Sequence, residues 1–600
     1  MQIARKDIPQ NDCWNLEPLY SNIQAWQQEL SQVPSFDEIS KHKGSLGAPE
    51  HLLETLDLYF STERKLRKLY TYAHLRHDED TQEEEPKKAY QNITTLYHKF
   101  SQETAWLQPE IVSLSEETLE TLLSSPLLAT YAFFIKKLRR LKPHTRTSEQ
   151  EFLIALAGQA MDAPRKAFSA LNNADFRFGE VQDGQGKTHV LTHASYGMYI
   201  RSHDRELRKN TFQGLHKKYS EYKNTLSELL AGQIQNHLFE AKAHHYTSCL
   251  ESALFPKNID TEVYHSLIGA VNEGIESLHR YMILRKQLLG VKELHFYDLY
   301  VPLVPSFDLT FSYEEAEALV IESVAPLGEE YTSLLHHGLT TGRWVDRYEN
   351  LGKRSGAYSS GCYDSMPYIL MNFKGILRDV FTLAHEVGHS MHSLFSRKQQ
   401  PYQYSDYAIF VAEVASTFNE ELLMQRLMKR SSSLEEKAFL INEKIEDIRG
   451  TLFRQTMFAE FELAIHQATE KGMPLTPQFF ERTFLELNKR YFGDTLIYDE
   501  EIAFEWSRIP HFYYNFYVFQ YATGISAAMA LSDAVLSGET KERDAYLHFL
   551  QSGSSDYPIA LLQKAGVDMK TTEPVKQTIK KFNSLVNELE KLLAVQLPKC

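Results

Sequence analysis

The chain has 600 residues, 43% hydrophobic and 24% charged. That balance excludes a disordered or membrane-embedded protein, and the length exceeds what one hydrophobic core supports. The formal charge of -15, with 64 Lys and Arg against 79 Asp and Glu and no long basic run, argues against a nucleic-acid partner, because neutralising phosphates needs clustered cations.

Cys13, Cys249, Cys362 and Cys600 form no CxxC pair, so neither a thiolate metal site nor a disulfide framework is expected, and the cytoplasm is the expected location. The first residues contain no apolar run of signal-peptide length. Helical periodicity then dominates. Leu52, Leu56, Tyr59, Leu66, Tyr70 and Ala73 fall on one stripe, with Glu54, Asp57, Glu63, Lys65 and Lys68 off it. Similar amphipathic runs at 84–114, 127–141, 148–172, 205–254 and 260–289 share no fixed period, so a mainly α body without solenoid repeats is predicted. One hairpin interrupts them near 176–193, with Asp183, Gly184 and Gly186 at its turn. It is expected to close an N-terminal helical lobe, residues 1–195, ahead of a catalytic domain at 196–600.

A second irregular region, 340–375, carries Gly352, Gly356 and Gly361, then Pro367 and a β-prone segment at 368–373. It arrives directly before TLAHEVGHSMHSLF, where a functional loop is placed. Further on, 512–532 carries no formal charge and has about the length of a bilayer span. Its Tyr513, Tyr514, Asn515, Tyr517, Gln520 and Tyr521 are too polar for lipid, so a protein interior or cavity wall is expected and no membrane partner.

The histidine helix carries the chemistry. His385 and His389 are four apart and project from one helix face, so both imidazoles can reach one ion. Glu386, one step round, is placed to take a proton from a metal-activated water. This is the HExxH pattern of zinc peptidases. A catalytic zinc needs a third protein ligand and one open position. The extended HExxHxxGxxH pattern is excluded, because His392 stands where its glycine belongs and Phe395 where its histidine belongs. His392 shares the face one turn further along and reads either as a cleft-lining residue or as a packed core histidine. The remaining source is the next helix, DYAIFVAEVASTFNEELL, in which Glu413 sits among small and apolar neighbours where an unpaired charge would be costly. Glu420, seven residues on, is placed to orient a ligand imidazole or to be a solvated helix-end glutamate.

HEVGHSMH, FVAEVASTFNE, GKRSGAYSSGCYDSMPYILMNF and RIPHFYYNFYVFQYATG together resemble the oligoendopeptidase F branch of the thimet oligopeptidase family. Val387 stands where phenylalanine is common, a packing change only. The resemblance implies a two-lobed helical body with a deep channel that admits short peptides. It also implies one Zn²⁺ held by His385, His389 and Glu413, with Glu386 as general base; manganese or cobalt suits the same donors. His511, Tyr514 and Tyr517, with Tyr521 beside them, are candidates for stabilising the oxyanion. The strand at 368–373, with Gly356, Tyr358 and Tyr368, is expected to contact substrate through an exposed edge. A carboxypeptidase would instead need a cation for the substrate carboxylate, for which Lys353, Arg354 and Arg508 are candidates. A non-enzymatic scaffold would need a fourth ligand to close the zinc site. No feature sets the oligomeric state.

Overall fold

The structure is a computed structural model that describes residues 3–304 and 310–594. Cys600 lies outside the described residues. Of the other cysteines, Cys249 and Cys362 are buried, Cys13 is half-buried, and all are free thiols.

The mainly α architecture expected from periodicity is the one observed. Helix α1 (Pro49–Glu79) starts on a proline, whose missing N–H has no partner to lose in a first turn. Its Leu52, Leu56, Leu66 and Ala73 are fully buried, and Glu54 and Asp57 face solvent. The 205–254 run does not fold as one rod. It breaks into Arg205–Glu221, Lys223–Ala243 and Cys249–Leu254. The hairpin forms as expected: β1 (Glu180–Gln182) pairs antiparallel with β2 (Thr188–Val190), and Gly186 takes φ +79° in its turn.

The chain divides into two compact units, each assembled from three stretches. The first comprises Met1–Thr145, Asp308–Lys429 and Leu531–Val567, and the second comprises Arg146–Phe307, Arg430–Ala530 and Asp568–Cys600. The hairpin therefore lies inside the second unit rather than at the end of an N-terminal lobe. A cut at residue 195 presumes continuous domains, whereas here each core draws on stretches hundreds of residues apart.

The first unit contains a three-stranded sheet in which β3 (Val345–Asp346) and β4 (Tyr358–Ser360) flank β5 (Tyr368–Leu370). β3 runs parallel to β5 and β4 antiparallel to it. This corrects the expected exposed edge at 368–373: β5 is central and buried along its length, because Trp344, Val345 and Asp346, read as loop from sequence, supply its second neighbour. The edges are β3, which is buried, and β4, which is half-buried.

The uncharged 512–532 span is not one helix. A short turn at Pro510–Tyr513 leads to Phe516 at φ +51°, and helix α4 (Phe519–Leu536) follows. Among the described residues no single helix is long and apolar enough to cross a membrane. One pair bent by 98°, Glu116–Ser124 with Pro126–His144, passes by length and composition. Its Leu119, Leu122, Leu128, Tyr131, Ile135 and Leu138 are packed in a core of the first unit.

Candidate metal centre

Helix α2 (Leu377–Gln399) carries HEVGH. In its first turn Asp379 accepts the amides of Lys374 at 2.7 Å and Ile376 at 3.4 Å, just ahead of the helix, and suits the positive end of the helix dipole. A short connection, closed by the Ser396 hydroxyl donating to the Ser405 carbonyl at 2.6 Å, turns the chain into α3 (Ile409–Arg430). The two helices meet backbone to backbone at Gly388. A Cβ there would stand 2.5 Å from the Ala415 oxygen and 2.5 Å from the Ser416 Cα. Only glycine permits that approach, and it is what brings residue 413 beside residues 385 and 389.

The imidazoles of His385 and His389 are 4.9 Å apart, nearly perpendicular at 81°. Their Nε2 atoms lie 3.3 and 3.4 Å from the same Glu413 oxygen, Oε2. The three donor atoms fall within 4.8 Å of one another, a separation one small cation can span with ligand bonds near 2 Å. Ser416 donates to that carboxylate at 3.0 Å. The Glu413 side chain is 47% accessible, so the expected burial cost does not hold. Val411, Val414 and Ala415 are buried on the neighbouring face of the helix, while the carboxylate is turned toward the imidazoles.

Glu420 Oε1 sits 2.5 Å from His385 Nδ1, which fixes the tautomer that leaves Nε2 free to ligate. Burial works against the His385 imidazolium, yet the hydrogen bonds to Glu413 and Glu420 outweigh it and push its pKa up to about 10. The carboxylates thus favour positive charge at this point. The donor set fits a divalent cation that accepts nitrogen and oxygen ligands. Replacing Glu420 with alanine is expected to weaken metal affinity by about 10- to 100-fold, read by competition with a chelator.

Glu386 is buried, and burial pushes its carboxyl up, opposed by the adjacent His385 and His389 and by the Ser359 amide. His392 turns away from this group. It is buried, its ring stacks on Tyr407 at 3.7 Å, and burial pushes its pKa down to about 3. It is a neutral core histidine rather than a cleft residue.

Tyr368 is buried against Trp14, with ring centroids 6.2 Å apart, so its expected substrate contact is overturned by the central position of β5. Tyr358 is half-buried and donates to Asp78 at 2.9 Å. Gly356 takes φ +88° with open space where a Cβ would stand.

Of the cations considered for a substrate carboxylate, Lys353 is buried and committed to Asp346 at 2.6 Å and to the carbonyls of Tyr348 and Met371. Arg508 donates to Glu505 at 2.6 Å. Arg354 is half-exposed and pairs with Asp78 at 3.3 Å.

His511, Tyr514, Tyr517 and Tyr521 lie in the second unit and cluster there. The Tyr521 hydroxyl is 3.3 Å from His511 Nε2, and the His511 and Tyr517 rings stack at 6.1 Å. All four are at least partly exposed, so the expected burden of buried hydroxyls does not arise. The turn that presents them rests on Glu462, a buried carboxyl that accepts the Phe516 amide at 2.7 Å.

Sequence reasoning missed Gly388, Ser359 and Asp78. A glycine in mid-helix costs roughly 1 kcal/mol against alanine, and that was the available sign of close helix packing at residue 388. Ser359 and Asp78 left no local sign.

A mainly helical chain that sets HExxH on one helix against a glutamate of the next is a metallopeptidase in build. Residues 198–581 match peptidase family M3, and residues 110–178 match the family described as Oligopeptidase F. The chain is 44% identical to oligopeptidase PepF of Bacillus subtilis (strain 168), across 98% of this chain and 88% of that one. A crystal structure of a Chlamydophila abortus protein superposes with a TM-score of 0.94 at 44% identity, covering 99% of this chain and 100% of that one. Oligoendopeptidase-F from Enterococcus faecium superposes with a TM-score of 0.73 at 35% identity, covering 95% and 98%. The chain belongs to peptidase family M3. It is a metalloendopeptidase that hydrolyses peptide bonds.

Proposed function

We propose that the protein cleaves internal bonds of short oligopeptides, with Zn²⁺ held by His385, His389 and Glu413 and with Glu386 as general base. The convergence of two Nε2 atoms and one carboxylate oxygen within 4.8 Å of one another carries this reading. A zinc ion there would polarise the scissile carbonyl and lower the pKa of a coordinated water toward about 7. The remaining work falls to the chain. Glu386, raised by burial, takes the proton of the attacking water and hands it to the departing amine. Glu420 keeps His385 in the required tautomer.

The substrate backbone is proposed to pair with the outer edge of β4. The Tyr358–Leu370 and Ser360–Tyr368 pairs carry its ladder bonds to β5, because the amides of Ile369 and Met371 are spent on β3. Ser359 therefore turns its backbone outward, with its amide toward Glu386 and its carbonyl available to an extended peptide. Backbone pairing is indifferent to side chains and suits broad specificity. The oligopeptidase name of the Bacillus subtilis relative supports short substrates.

Mass spectrometry of a mixed peptide digest, with and without a chelator, tests the reading. Internal cleavage of peptides blocked at both ends, lost with chelator and restored by zinc, is expected. Cleavage confined to free termini, or indifference to chelation, would overturn it.

A further inference from the structure

The mechanism leaves unexplained why a fully buried aspartate sits beneath the edge strand next to the general base. Asp78 lies in the last turn of α1 and is 0% accessible. Four side chains converge on its carboxylate. The Tyr358 hydroxyl donates at 2.9 Å, His74 Nε2 is at 3.1 Å, His77 Nδ1 at 3.2 Å and Arg354 at 3.3 Å. The Arg354 amide also donates to the Asp78 carbonyl at 3.1 Å. Burial opposes ionisation, and the donors of His74, Tyr358 and His77 outweigh it, so Asp78 stays below the usual carboxylate range.

Tyr358 is the first residue of β4, and its ring packs on His74 at 5.6 Å. The next residue, Ser359, faces the other way and joins α2. Its hydroxyl lies 2.8 Å from that of Ser390, one helical turn beyond Glu386. β4 is therefore pinned on one side to α1 through residue 358 and on the other to the HExxH helix through residue 359. It has a ladder partner on one side only, so these two anchors set where its outer edge stands.

We propose that Asp78 is a positioning residue for hydrolysis: through the Tyr358 hydroxyl it fixes β4, and with it the Ser359–Ser390 contact that sets Glu386 of α2 against the edge of that strand. This rests on the assignment of Glu386 as general base. Neither Asp78 nor Tyr358 touches the metal donors, so the effect must appear in turnover without loss of metal.

The test uses the full-length, zinc-loaded enzyme and the variants Tyr358→Phe, Asp78→Asn and their combination. Tyr358→Phe removes one hydroxyl and keeps the ring on His74. It is expected to lower kcat by about 10- to 100-fold, the scale of a slight misplacement of a catalytic group. KM is expected to stay within about threefold, and zinc affinity in chelator competition to stay unchanged. Asp78→Asn is expected to behave alike. The double variant is expected to be no worse than the more impaired single one, because both cut the same tether.

Wild-type kcat in either folded single variant would overturn the proposal. So would additive losses in the double variant, or losses that track falling zinc content or folded fraction, which is what a merely structural role gives. Should Asp78→Asn fail to fold, the kcat and zinc readings on Tyr358→Phe decide alone. Full turnover in Glu386→Gln would sink the base assignment and this proposal with it. An inactive Glu386→Gln beside a fully active Tyr358→Phe would sink only the tether.

Discussion

Replacing Glu386 with glutamine is expected to lower kcat by about a hundredfold to ten-thousandfold, the contribution of a positioned general base, while zinc binding stays stoichiometric. The separation follows from the geometry. The three converging donors are His385, His389 and Glu413, and Glu386, one residue from His385, is buried and outside that group. Glutamine keeps the size and the hydrogen-bonding outline but cannot take a proton from water. Metal content by atomic absorption and kcat on a blocked peptide are the two readings. A variant that keeps both metal and turnover would remove Glu386 from the reaction. A variant that loses its metal would make residue 386 part of the ligand set.

Replacing Gly388 with alanine is expected to damage stability and the site together, although it removes no side chain. The added methyl would stand 2.5 Å from the Ala415 oxygen and 2.5 Å from the Ser416 Cα. Both are backbone atoms that cannot rotate away. Carbon contacts settle near 3.5 Å, so α2 and α3 must part by about 1 Å. Glu413 precedes that contact by two residues and moves with it, while His385 and His389 stay on α2. The cost is expected to reach about 3 kcal/mol of stability, the upper range for overpacking. Zinc affinity and turnover are expected to fall together by about 100-fold, the scale of an ångström misplacement in a catalytic site. Thermal unfolding and chelator competition check it, and a Gly388→Ala enzyme with wild-type zinc affinity would show that the helices do not meet as described.

Glu386→Gln and Gly388→Ala also mark how far the sequence reaches. That residues 385 and 389 share a face could be read from spacing alone, because a helix converts a separation of four into a shared face wherever it lies. Glu413 could be reached by asking which nearby carboxylate suited a third ligand. The reason given for it, burial among apolar neighbours, is not the reason the fold uses, since the carboxylate is half-exposed and is placed by the helix crossing at Gly388. His392 shows the same limit in reverse. Its spacing left it either lining the cleft or packed in the core, and stacking on Tyr407 decides for the core. The strand at 368–373 was visible as β-prone, but whether it was an edge depended on residues 345–346, more than twenty positions earlier and too short to signal a strand.

What the sequence determined by itself was local: a mainly α chain, the hairpin, and a helix bearing two imidazoles and a carboxylate in metal-binding order. These follow from periodicities of two and 3.6 residues, which any stretch expresses without reference to the rest. What the tertiary structure alone decided was which distant residues stand beside that helix. β4 rather than β5 is an edge strand, and Asp78 lies under it. Such neighbours are set by packing between segments that are not adjacent in the chain, 280 residues apart for Asp78 and Tyr358, and no local pattern encodes them.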